Sequence, residues 1–94
     1  MPYTVVREHV GNYARWRRAF EEHSGSRKEA GSRGGHIFRS SEDRDEVVVF
    51  LAWEDLDRAR QYLDSEAVRE EREAGEVDGD PDVLYLEELG RPAS

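Results

Sequence analysis

The run Val47-Val48-Val49-Phe50-Leu51-Ala52-Trp53 is apolar without interruption. A strand with one wet face alternates apolar and polar residues, whereas a continuous apolar strand is covered on both sides. In a chain of 94 residues the helices can cover only one of those sides. A second subunit is the simplest cover for the other.

The remaining pattern supplies the elements around this strand. Residues 3–10, Tyr-Thr-Val-Val-Arg-Glu-His-Val, are rich in β-branched and aromatic types and stop at Gly11, which predicts a first strand. Asn12 is a favoured helix N-cap, and Tyr13, Trp16 and Phe20 then recur at i, i+3 and i+7 on one helical face. Residues 24–35 hold four glycines and read as a loop, with a short helical continuation around Arg27 to Ala30. His36 to Ser40 is expected as a second strand, joined to Val47–Trp53 by a polar hairpin over Glu42 to Asp45. Asp55 and Ser65 are placed to cap two further helices. The first buries Leu56, Ala59, Tyr62 and Leu63. The second runs from Glu66 to Ala74, is ended by Gly75, and has Arg69 and Glu73 spaced to pair on its surface. Val77 to Pro81 reads as an acidic turn-rich loop, Asp82 to Leu89 as the last strand, and Gly90 to Ser94 as a tail.

The order strand, helix, strand, strand, helix, strand predicts an α+β fold, a ferredoxin-like βαββαβ sandwich with an antiparallel sheet, as one domain over 1–94. Its helices lie on one face and leave the other for a partner. A one-residue slip in any strand sends its side chains to the opposite face, so facing is the least determined feature.

Composition narrows the partners. The chain has 22 acidic and 14 basic residues, a net charge of −8. That field repels phosphate backbones and anionic lipids, so neither nucleic acid nor a membrane surface is expected as a partner. Lys28 is the only lysine among these basic residues; the rest are arginines. A high-salt cytoplasm and the arginine bias of a GC-rich genome both fit this balance. With no cysteine there are no disulfides and no thiolate-bound metal, and His9, His23 and His36 lack paired ligand spacing. No metal site and no cofactor are expected, and oligomerisation is the remaining support for so thin a core. The amino-terminal residues lack a charged region followed by a long apolar one, so no signal peptide is expected and a cytoplasmic location is the default.

Several stretches carry a family resemblance. They are Tyr13-x-x-Trp16-Arg17-x-x-Phe20, Gly31-Ser32-Arg33-Gly34, Phe38-Arg39-Ser40, Val49-Phe50-Leu51-Ala52-Trp53-Glu54 leading into Leu56-x-x-Ala59, and Pro81-Asp82-Val83-x-Tyr85-Leu86-Glu87. Together they resemble the dimeric α+β barrel superfamily, in particular its small antibiotic-biosynthesis-monooxygenase-like and cyclase-like members. The resemblance implies a homodimer with facing sheets and a ligand cavity between sheet and helices in each subunit. It also implies activities such as cofactor-free oxygenation of polyketide-like aromatics, cyclisation or haem degradation. The asparagine, tryptophan and histidine of the haem-degrading type do not carry across, because Asn12 sits at a helix cap while His36 and Trp53 lie on strands.

Within that frame, His36 beside Gly34 and Gly35 is the candidate general base, and Arg39 the candidate for holding a carboxylate or enolate oxygen. Arg33 lies close by. Trp16, Trp53, Tyr62 and Tyr85 are candidates for lining a pocket for a flat aromatic ligand, with ordinary core and dimer packing as the alternative. His9 shares strand parity with Tyr3, Val5 and Arg7. If that face meets a partner, Arg7 and His9 require acidic neighbours. The expected function is a small-molecule-binding homodimer acting as a cofactor-independent monooxygenase or cyclase. The alternative is a non-catalytic dimeric module.

Overall fold

The computed structural model describes residues 1–94, which form four strands and four helices. Strand β1 covers Pro2–Val10, helix α1 Tyr13–Glu22, α2 Ser24–Glu29 and β2 Ser32–Arg39. They are followed by β3 Glu46–Trp53, α3 Leu56–Leu63, α4 Glu66–Ala74 and β4 Val77–Glu87. The sheet order is β2-β3-β1-β4 with every neighbouring pair antiparallel, a ferredoxin-like α+β arrangement whose two crossovers are each divided into two helices.

Local chemistry sets the helix starts. The Asn12 side chain accepts from the Arg15 amide, Asp55 from the Asp57 and Arg58 amides, and Ser65 from the Val68 amide. On α1, the Tyr13 and Trp16 rings stack at 5.9 Å and Trp16 and Phe20 at 5.1 Å, so the i, i+3, i+7 face is continuous. The helical continuation expected around Arg27 to Ala30 begins earlier, at Ser24, and Arg27 is buried against the body of the protein. The side chain of Arg69 pairs with Glu66, one turn back, in place of Glu73.

Strand limits differ from the sequence reading in two places. β2 begins at Ser32 because Gly34, at φ 86°, lets the chain bulge and rejoin β3 in a shifted register. β4 begins at Val77, so the stretch Val77 to Pro81 is strand and not loop. It pairs with β1 around an irregularity between the Arg7–Asp82 and His9–Asp78 partners. Proline is tolerated there because β4 is an edge strand.

The core lies between the sheet and the helices. Thr4, Val6, Glu8 and Val10 of β1 and Val47, Val49, Leu51 and Trp53 of β3 face it, with Trp16, Ala59, Tyr62, Leu63 and Val68 from the helices. The Trp53 indole donates to Thr4 Oγ1 at 2.8 Å, which satisfies the polar atoms of two fully buried side chains. The apolar run in β3 therefore buries its residues alternately: Val48, Phe50 and Ala52 are only half-covered on the other face. That face also carries Tyr3, stacked on Phe50 at 4.8 Å, and the exposed Phe38, Leu84 and Leu86. Arg7 and His9 on the same face have acidic neighbours within the chain, Arg7 pairing with Asp82 and Glu46 and His9 with Asp43. No helix is long and apolar enough to cross a membrane.

Candidate functional site

A cleft of about 500 Å³ opens between α1, α2 and the β2 edge. Its apolar surface comes from Phe20, Ile37 and Leu51, and its polar border includes Arg17, Lys28, Arg33 and Ser32. Gly34 and Gly35 leave part of the wall without side chains. Gly35 is obligatory, because a Cβ there would sit 1.8 Å from the Phe50 carbonyl oxygen across the β2–β3 ladder.

Phe20, Leu51 and Arg27 also border a smaller pocket, of about 30 Å³, that lies deeper between sheet and helices. That volume admits one water-sized group. Its lining is apolar in Val6, Val49, Leu63 and Val68, but five polar side chains meet it: Glu8, Arg27, Tyr62, Glu71 and Arg72. Each is placed by an element built for another reason. Glu8 lies on the core-facing parity of β1, while Glu71 and Arg72 follow Val68 by three and four residues on α4. Arg27 reaches inward from α2 with its guanidinium 3.6 Å from the centre of the Phe20 ring.

These groups form two paired units and one orphan. Glu8 accepts from the Trp16 indole at 3.2 Å and from Arg72 at 3.3 Å. Glu71 accepts from Arg27 at 3.1 Å, and His23 Nδ1 stands 3.9 Å from the same oxygen while donating to the Ala19 carbonyl at 2.9 Å. The Tyr62 hydroxyl, on a residue only 8% exposed, makes no hydrogen bond of good geometry, and its proton has no acceptor; the Arg27 guanidinium is near enough to act on it as a weak donor. Burial pushes the Glu71 carboxyl up to about 7; the positive charges of Arg27 and His23 oppose that rise, and Glu8 adds to it. Burial also raises Glu8, against the pull of Arg72 and Trp16, and raises the Tyr62 phenol, with Glu71 reinforcing and Arg27 opposing. The arrangement offers a proton acceptor active near neutral pH, an unspent hydroxyl donor and a buried cation, side by side.

The residues expected from sequence are distributed as follows. Arg33 and His36 border the cleft, and Tyr62 borders the inner pocket. Trp16 and Trp53 are fully buried core rings, with Trp16 joined to the site through Glu8 and through its stacking on Phe20. The Trp53 and Tyr62 rings are 5.9 Å apart. Tyr85 lies away from the cleft under Arg60, whose guanidinium is 4.2 Å from its ring. The His36 ring stacks on Phe38 on the open face of the sheet, whereas Arg39 lies over the Tyr13 ring on the helix side. The two are therefore not brought together. Sequence reasoning missed Glu8, Arg27, Glu71 and Arg72. No His, Asp or Glu cluster of three or more converges where a metal ion would sit.

Comparison with solved structures finds the same fold repeatedly. A Bordetella bronchiseptica protein assigned to the antibiotic biosynthesis monooxygenases matches with a TM-score of 0.79 at 18% identity, over 94% of this chain and 96% of that one. SnoaB, a cofactor-independent oxygenase from Streptomyces nogalater, matches with a TM-score of 0.77 at 14% identity, over 99% of this chain and 97% of that one. Rv0793 from Mycobacterium tuberculosis matches over the whole of both chains with a TM-score of 0.69 at 18% identity. At these identities the likeness establishes the fold. No curated protein gives a significant match in sequence. The sequence profile of the antibiotic biosynthesis monooxygenases, however, matches residues 4–74, from the first strand through the last helix, and the chain belongs to that family.

Proposed function

We propose that the protein is a small-molecule-binding homodimer that acts as a cofactor-independent oxygenase or cyclase on a flat, polyketide-like aromatic substrate. The observation that carries this reading is the Tyr62 hydroxyl, its proton without an acceptor, in the small pocket that shares Phe20, Arg27 and Leu51 with the cleft, beside a carboxyl pushed up to about 7 by burial. A buried hydroxyl proton without an acceptor is costly, and such a cost is retained where a ligand supplies the missing bond.

In the proposed reaction the ring system lies in the outer cleft against Phe20, Ile37 and Leu51, with its reacting edge at the inner pocket. Glu71 takes a proton from an activated ring methylene. The enolate oxygen that forms accepts from Tyr62 and is stabilised by the Arg27 charge. For an oxygenation, dioxygen is the oxidant: the methylene becomes a carbonyl, one oxygen atom enters the product and the other leaves as water. Arg33 and His36 belong to the outer border in this scheme, and Arg39, across the sheet from His36, has no part in the chemistry.

The second subunit is proposed from the open face. Tyr3, Phe38, Val48, Phe50, Leu84 and Leu86 present an apolar surface on the side of the sheet without helices, and exposed apolar patches of this kind mark interaction sites. The family likeness implies that a second copy covers it. A non-catalytic dimer remains the alternative reading, favoured by the small inner pocket, which admits no ring.

The test is oxygen uptake and quinone absorbance with a hydroxylated anthrone in air. A general base contributes roughly 10²–10⁴ in rate, so Glu71→Gln is expected to lose at least about 10² in kcat, with Tyr62→Phe losing less. Tight anthrone binding without oxygen uptake supports the non-catalytic module, and absence of binding removes both.

A further inference from the structure

The outer cleft is basic in an acidic protein. Arg17, Arg27, Lys28 and Arg33 border it with Glu21 as the one acid among them, although the whole chain carries −8. Three of the four cations have partners within the chain: Arg17 with Glu21 at 2.7 Å, Arg27 with Glu71 at 3.1 Å, and Arg33 with Glu54 at 2.5 Å. Lys28, the only lysine, is exposed at the end of α2 and has no carboxylate partner. Arg33 uses one of its five donors on Glu54. Across the cleft from these donors lie an apolar floor and the bare backbone of Gly34 and Gly35.

Lys28 borders the same cleft as three guanidinium groups and an apolar patch. Phe20, Ile37 and Leu51 suit the faces of a ring, and none of them distinguishes one flat molecule from another. The cations do, because a basic border in a molecule of net charge −8 favours an anionic group there over a neutral one.

We infer that the cleft selects an aryl carboxylate: a flat ring seated on Phe20, Ile37 and Leu51, with its anionic group held at the mouth by Lys28 and Arg33. This rests on the reading of the cleft as the ligand site and adds the substrate class. The carboxylate fixes which edge of the ring points inward, toward Tyr62 and Glu71. Orientation is set at the mouth, and chemistry occurs at the other end.

The experiment is calorimetric titration of the full-length protein with 1-hydroxy-2-naphthoate and with its methyl ester, at low and at high salt. The acid is expected to bind about tenfold or more tighter than the ester at low salt, and to lose most of that advantage at high salt. Lys28→Glu is expected to weaken the acid by about tenfold and to leave the ester within about twofold. Lys28 is exposed, so the variant's fold is checked by its unchanged thermal midpoint. Equal binding of acid and ester, or an acid affinity indifferent to Lys28→Glu, overturns the carboxylate assignment while leaving the cleft as a ring site. Binding of neither compound overturns the assignment and the proposed function together.

Discussion

Glu71 occupies a position where burial and charge oppose each other. Its carboxyl is raised to about 7 chiefly by loss of hydration, despite Arg27 at 3.1 Å. A group whose pKa is higher folded than unfolded binds its proton more tightly in the native state. Its stabilising contribution is therefore complete below the ordinary value of 4.5 and disappears as the pH climbs to about 7. Glu71→Gln removes that dependence. The stability of the native sequence relative to the variant is expected to fall by on the order of 3 kcal/mol between pH 4.5 and 7.5, read from urea unfolding at each pH. Parallel curves for the two proteins contradict the assignment. His9 behaves in the same sense at the surface: the hydrogen bond it donates to the Asp43 carboxylate raises its pKa, so Asp43→Asn should move the His9 midpoint downward in an NMR titration. Trp53 has a different role. Replacing it with Phe strands Thr4 Oγ1 in the core and leaves a void, at a cost of about 2–3 kcal/mol by chemical denaturation. The paired carboxylates of the core were partly legible in sequence. Thr4, Val6, Glu8 and Val10 share a strand parity, and Val68, Glu71, Arg72 and Gly75 share a helix face. A charged residue in either set signals a polar group facing inward. The signal has no force until the register is known, and Glu and Arg are so abundant in this chain that their placement on a core face is hidden among solvated ones.

The helices and strands that the sequence predicted correctly are those with local determinants. Asn12, Asp55 and Ser65 each bond the first-turn amides of the helix that follows, a contact that needs nothing from the rest of the chain. The elements misread are those fixed by distant partners. Helix α2 is short and rich in Ser and Gly, poor helix formers, and is held by burial of Arg27 against Phe20 and Glu71. The start of β4 contains Gly79 and Pro81, which read as a turn, yet β1 draws the segment into the sheet. Two glycines in helical surroundings separate these influences. A Cβ at Gly25 in α2 would meet nothing within 4 Å, so Gly25→Ala is expected to stabilise by about 0.5–1 kcal/mol. A Cβ at Gly75 would lie 2.9 Å from Trp16 Cδ1 and 3.1 Å from the Glu71 carbonyl. There the same change is expected to destabilise by about 1–3 kcal/mol, through displacement of α1 from α4. Thermal midpoints moving in the same direction for both variants would refute this reading of the α1–α4 contact.

For the molecule as a whole, the apolar strand at the centre of the sheet has only one of its sides covered within the chain. If a second copy covers the other, Leu84→Glu places a charge on that interface and is expected to convert a dimer into a monomer in sedimentation velocity. Lys28→Glu, on the cleft, leaves the dimer intact. A native protein that sediments as a monomer at micromolar concentration removes the interface. The cleft's apolar surface was not legible from sequence, because it joins Phe20, Ile37 and Leu51 from three separate elements and depends on a bulge at Gly34. The far border of the sheet bears on how copies meet. Along β4 the ladder is broken between Asp78 and Asp82, Pro81 offers no amide hydrogen, and three aspartates line the outer chain. That stretch of the border is a poor template for another strand, which disfavours lengthening of the sheet by sideways addition at that end.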